Sequence, residues 1–243
     1  MALALDASIP EGDGPFPAAI VVHGGGWVRG DKRTDVEPLF KPLSDARIAW
    51  FSINYRLAAN ALQFGAAIND VEDAVRFVKA HAADYRVDPD RIALIGESAG
   101  GQLAAMAALS DDPALAVKAV VAFYTPSDLV SLVRDSELIP PAIRDSIQGT
   151  PFQTIILARL SQLSPIDNVR PGIPPFLFIH GTADRLVPVE QSSAMCARMK
   201  TVGASCQVFT VEGAGHGMRW WQSSAYKREM IRWLQDHLSG AVV

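Results

Sequence analysis

The apolar stretches of this chain are short and continuous, and that constrains its fold more than any other feature. Ala18–His23, Ile48–Ile53, Arg91–Ile95, Val117–Phe123, Phe176–His180 and Gln207–Val211 are dominated by Val, Ile, Ala and Phe with little polar alternation. Strands of this kind are covered on both faces, the condition of a parallel sheet. Between them the period changes. Ile68, Val71, Val75 and Val78 recur at helical spacing, as do Met195, Met199 and Val202, and Tyr226, Met230, Trp233, Leu234 and Leu238 form a third stripe. Gly65 is the available cap for the first of these helices, with Asp70 near its first turn. Strands alternating with helices predict an α/β fold: a doubly wound, mostly parallel sheet with helices on both faces.

Only the segment Pro126–Pro175 breaks the rhythm. It carries Pro140-Pro141 and Pro174-Pro175, holds no strand pattern, and reads as a short helix only over Ile155–Leu163. A loop of that length is unusual in a compact domain. The expectation is a single domain over residues 1–243 with a small helical cap inserted at about 127–170.

Composition narrows the classes. With 243 residues, 49% hydrophobic and 20% charged, the chain is too apolar to be disordered and large enough to bury a core. A net charge of −4 argues against nucleic acid or an anionic membrane as partner. No apolar run approaches the ~20 residues of a membrane span. The opening Met-Ala-Leu-Ala-Leu-Asp lacks the basic region of a secretory leader, so a cytoplasmic setting is expected unless the N-terminus has been trimmed. Cys196 and Cys206 are expected to be free, buried thiols.

The chemistry begins where strand Arg91–Ile95 runs into Gly96-Glu97-Ser98-Ala99-Gly100-Gly101, followed by the helix-forming Gln102–Leu109. The pattern G-x-S-x-G is weak alone but specific between a strand and a helix. Its sharp turn exposes the Ser98 hydroxyl over a helix N-terminus. Immediately after another strand comes His23-Gly24-Gly25-Gly26-Trp27. Consecutive glycines let backbone approach a ligand closely, so the N–H groups of Gly25 and Gly26, with that of Ala99, are the candidate oxyanion donors.

A nucleophilic serine needs a base and an orienting acid. His216, in the loop Gly213–Gly217 after the last strand, is the candidate base. His81 and His237 read as surface residues, His23 as a brace for the glycine loop, and His180 as structural. Asp184 follows strand Phe176–His180 and completes the chain order Ser, Asp, His; Asp128 is the competing acid. No metal-binding or phosphate-binding pattern is present, and no cofactor is called for. Trp27 and Trp220 are candidate substrate contacts, since indole rings stack on sugars and aryl groups.

With these stretches, together with Asn54-Tyr55-Arg56-Leu57, Ser164-Pro165-Ile166 and Pro174–Pro188, the chain resembles the α/β-hydrolase superfamily. Within it the likeness is to hormone-sensitive-lipase-like esterases, and more narrowly to small esterases of acetylated or feruloylated plant polysaccharide. The resemblance implies a serine carboxylesterase with Ser98, Asp184 and His216 as its triad and Gly25, Gly26 and Ala99 as its oxyanion hole. Its expected substrates are small-molecule esters with acetyl to butyryl or aryl acyl groups. Kynurenine-formamidase-type amidases share the pattern, and a non-catalytic binding module on the same scaffold is the third reading. Two departures stand out: a shortened N-terminus, with one strand-like segment around Leu3–Ile9, and no proline-rich stretch over Ala58–Gly65. The second bears on the shape of the pocket wall; the first, with the small cap, implies an open pocket.

Overall fold

The computed structural model describes residues 3–58, 65–135 and 153–239. Its seven-stranded sheet comprises β1 (Leu5–Ser8), β2 (Phe16–Val22), β3 (Ala49–Ile53), β4 (Val87–Glu97), β5 (Ala119–Phe123), β6 (Phe176–Gly181) and β7 (Cys206–Val211). Their spatial order is β1-β3-β2-β4-β5-β6-β7. All neighbours pair in parallel except the short edge strand β1, which runs antiparallel to β3. The expected doubly wound sheet is therefore present.

Successive side chains of the inner strands enter different cores, which is why the runs are continuously apolar. Ala18, Ile20 and Val22 of β2 face one core with Leu94 of β4 and Phe176 and Phe178 of β6. Ala19 and Val21 face the other, with Ile95, Phe123 and Ile179. Helices α2 (Gly65–Ala80), α3 (Ala99–Ala108) and α6 (Glu190–Thr201) cover the first face; α1 (Glu37–Asp45) and α7 (Ala225–Leu238) cover the second. Two shorter helices, α4 (Leu129–Asp135) and α5 (Gln153–Gln162), fall within the stretch expected to be a cap. Pro140-Pro141 and most of Ala58–Gly65 lie outside the described residues.

Two expectations need correcting, and one helix was not foreseen. Cys196 and Cys206 are bridged, not free: α6 packs back along β7, and the turn at Gly203 brings the two Cα atoms to 5.4 Å. Asp70 does not serve the first turn of α2. It lies in the second turn, buried, where its carboxylate accepts from Arg56 Nε at 2.9 Å and Arg56 N–H at 2.7 Å and pairs with Nη2 at 2.6 Å. Helix α1 had no counterpart in the sequence reading. Pro38 fits its first turn, where an amide donor is not needed, and Leu39 and Leu43 bury its face despite Pro42 inside it.

Candidate active site

The carboxyl ends of the central strands converge on one cleft of about 940 Å³, lined in part by Gly25, Gly26, Ser98, Ala99 and His216. Open α/β sheets place their sites at this end. Ser98 stands between β4 and α3 at φ 52°, a left-handed conformation rare outside glycine. Its N–H donates to the Phe123 carbonyl at 2.9 Å, pinning the turn to β5. The tightness explains the glycines: a Cβ on Gly100 would collide with the carbonyls of Val22 and His23.

His216, in the loop after β7, reaches Ser98 Oγ with Nε2 at 2.9 Å and Asp184 Oδ2 with Nδ1 at 2.7 Å. The Asp184 side chain is fully buried. Its Oδ1 accepts the amide N–H of Leu186 and of Val187, both at 2.9 Å. Burial pushes its carboxyl up, but hydrogen bonds from His180, His216 and Val187, with the histidine's charge, outweigh that and hold it well below the usual carboxylate range. Asp184 therefore stays ionised and orients the ring with Nδ1 as donor and Nε2 as acceptor. Asp128, the competing acid, instead caps α4, accepting from Ser131 N–H at 2.9 Å.

His180, His23 and His81 occupy the places expected of them, whereas His237, expected at the surface, is half-buried against Trp233. His180 is wholly buried, donating from Nε2 to the Val187 carbonyl at 2.9 Å and meeting Ser192 Oγ with Nδ1 at 2.7 Å. His23 stacks on Tyr55 at 4.3 Å and donates from Nδ1 to the Gly24 carbonyl at 2.7 Å. Burial pushes its pKa down, so it braces the loop as a neutral ring. His81 is exposed beside Asp84, and His237 bonds the Trp233 carbonyl.

Around the loop, Gly25 and Gly26 lie at φ 105° and 62°. No described group of the protein accepts from the amide N–H of Gly25, Gly26 or Ala99, so all three remain available to a ligand. Trp27 is half-buried, with its indole N–H donating to Gln102 Oε1 at 2.9 Å. It is a fixed wall of the cleft. Trp220, by contrast, is 75% exposed at the rim. Arg219 lies over its ring at 5.2 Å and pairs with Asp35 at 3.1 Å. Pro126, Leu132, Leu186 and Val187 supply the cleft's apolar lining.

Sequence reasoning missed the residues behind this geometry. Glu97 is buried and accepts from the Gly24 N–H at 2.5 Å. Tyr124 sets its ring edge-on to His216 at 4.7 Å. Gln191 of α6 ties down the backbone of Ser127 and Asp128. The one visible signal was an acidic residue at the end of an otherwise apolar strand. Taken together, the arrangement supplies a hydroxyl, a proton acceptor, a fixed carboxylate and unengaged amide donors within one cleft. That is the equipment of acyl transfer through a serine.

Known esterases are among the proteins that this chain resembles. Over 199 residues the chain is 34% identical to the esterase LipQ of Mycobacterium tuberculosis, covering 78% of this chain and 47% of that protein. It thus spans about half the length of the curated relatives it matches. A truncated carbohydrate esterase from gut microbiota superposes with a TM-score of 0.81 at 27% identity, covering 97% of this chain and 91% of that one. A thermophilic esterase of Thermogutta terrifontis, solved with butyrate bound, superposes with a TM-score of 0.75 at 25% identity over 97% and 88% of the two chains. Residues 5–199 match the family described as BD-FAE. With that match spanning most of its length and a sheet shared with solved esterases, the chain belongs to the BD-FAE family and has the α/β-hydrolase fold.

Proposed function

We propose that the chain is a serine carboxylesterase acting on short-chain acyl or aryl esters, from acetyl to butyryl, of carbohydrate alcohols. The observation that carries this reading is the contact of His216 Nε2 with Ser98 Oγ at 2.9 Å, backed by Asp184 at 2.7 Å on the other ring nitrogen. Ser98 Oγ attacks the ester carbonyl carbon while its proton passes to His216 Nε2. The carbonyl electron pair moves onto oxygen, held by the N–H groups of Gly25, Gly26 and Ala99. Collapse expels the alcohol, which takes the proton from Nε2 and leaves Ser98 acylated. Water then attacks, again losing its proton to His216, and the acid departs as Ser98 recovers its proton.

Support for the acyl size comes from the butyrate-bound relative. Support for a carbohydrate alcohol comes from the exposed Trp220 and the gut carbohydrate esterase. In this reading α4 and α5 belong to the small cap expected at about 127–170, of which residues 136–152 lie outside the described residues. The Cys196–Cys206 bridge favours an oxidising setting over a cytoplasmic one. No described helix is long and apolar enough to cross a membrane.

The test is hydrolysis of p-nitrophenyl acetate, butyrate and octanoate, methyl ferulate, acetylated xylan and N-formylkynurenine by wild type and Ser98→Ala. The expected result is fastest turnover of acetyl and butyryl esters, lost in Ser98→Ala by about 10⁴-fold or more. Wild-type rates in Ser98→Ala would overturn the mechanism. Preference for octanoate would overturn the acyl assignment, and preference for the formamide would make the chain an amidase.

A further inference from the structure

We propose that Glu97 is a positioning residue that holds the glycine loop and the His216 loop in register with Ser98, a role that rests on the site reading above. Glu97 ends β4, next to Ser98, and is 4% exposed. A buried carboxylate is costly unless its oxygens are satisfied. No ion pair reaches it among the described residues; its partners are two neutral donors. One is the Gly24 N–H at 2.5 Å, in the residue before the candidate oxyanion donors. The approach is so close that a Cβ on Gly24 would strike the carboxyl.

The other is the hydroxyl of Tyr124. That side chain is fully buried, and its backbone is held at φ 35°, a conformation a bulky residue keeps only when its surroundings over-determine it. Its hydroxyl accepts the N–H of Met218 at 3.1 Å, two residues beyond His216, while its ring meets the imidazole edge-on. Trp221 buttresses the same loop, edge-on to Tyr124 at 5.4 Å and bonded through its indole N–H to the Gly215 carbonyl at 2.7 Å. From one carboxyl, therefore, one bond leads to the oxyanion loop and another to the loop bearing the base. Burial pushes the Glu97 carboxyl up, and the Tyr124 and Gly24 bonds oppose it. Misplacement of reacting groups by about 1 Å can cost 10²-fold in rate.

The experiment measures kcat and KM for p-nitrophenyl butyrate in E97Q, E97A, Y124F and E97Q/Y124F. Each rate is divided by the number of sites titrated to completion with a fluorophosphonate. E97Q keeps an acceptor for the Gly24 N–H but turns an amide donor towards the Tyr124 hydroxyl. Both E97Q and Y124F are expected to lose about tenfold in kcat with KM changed less than twofold. The double variant should be no slower than the slower single, because both break the same link. E97A, which also frees the glycine loop, should lose about a hundredfold. Per-site kcat within twofold of wild type in E97Q and Y124F would overturn the proposal, as would losses that multiply in the double variant. Failure of the site reading is separately visible: Ser98→Ala would then retain activity, whatever Glu97 does.

Discussion

Asp184 carries two burdens at one position. Its carboxylate bonds His216 and accepts the Leu186 and Val187 amides, so the same side chain fixes the proposed base and the loop after β6. Asp184→Asn keeps the shape but presents a donor or a weaker acceptor to Nδ1 and favours the wrong tautomer. Under the proposed mechanism kcat for p-nitrophenyl butyrate should fall about 10³–10⁴-fold, with little change in KM. The carboxyl also links folding to acid. Its folded pKa lies below the unfolded value of about 3.9. The stability it contributes is therefore complete above that value and drains away as pH falls through the folded one. The Tm gap between wild type and Asp184→Asn should be constant from pH 8 to pH 5 and narrow below about pH 4. A gap independent of pH would show that the charge does not matter to folding.

The elbow between β4 and α3 is the element on which both fold and chemistry turn. Gly100→Ala places a methyl against the Val22 and His23 carbonyls, which belong to β2 and the start of the glycine loop. Overpacking of that kind costs about 1–3 kcal/mol. It should lower Tm and abolish the proposed esterase activity together, whereas an equally destabilising change on the outer face of α7 should leave per-site activity intact. The elbow was legible in the sequence because its chemistry is local: a strand, five residues and a helix. The five inner strands were legible for a related reason, since burial on both faces leaves a continuous apolar run. Helix α1 was not, because two prolines mask a stripe of only Leu39 and Leu43. The Glu97–Tyr124 link was invisible because it joins residues whose meeting depends on how β2, β4 and β5 align. The Cys196–Cys206 bridge was missed because spacing alone does not say that a helix returns beside the next strand. Opening that bridge frees a loop of 10 residues and should cost about 2–3 kcal/mol. Thermal melts with and without dithiothreitol, and of the Cys196→Ser/Cys206→Ser variant, read this directly; identical melting would exclude a stabilising role.

At the scale of the whole molecule, the sheet gathers its contacts from both cores and leaves one rim open. Trp220 stands on that rim with Arg219 and Asp35, exposed where a large apolar ring has no packing reason to be. If it stacks on a sugar, Trp220→Ala should raise KM for acetylated xylan about three- to tenfold and leave p-nitrophenyl acetate unchanged. Equal effects on both substrates would make the ring part of the wall and not of the recognition. The same rim concentrates something else. Trp27, Asp35, Ser98 and Tyr124, all at the cleft or directly behind it, hold positive φ without being glycine. Each such residue costs on the order of 1–3 kcal/mol, a sum comparable to the net stability of an ordinary domain. Four of the six described non-glycine residues at positive φ thus gather at the cleft, with Arg47 and Arg86 lying elsewhere. A selection for heat resistance alone will find its easiest gains there, by relaxing these positions, and each gain will come from the geometry that the chemistry uses. Thermostable descendants that keep their activity will have to draw their stability from the far side of the sheet.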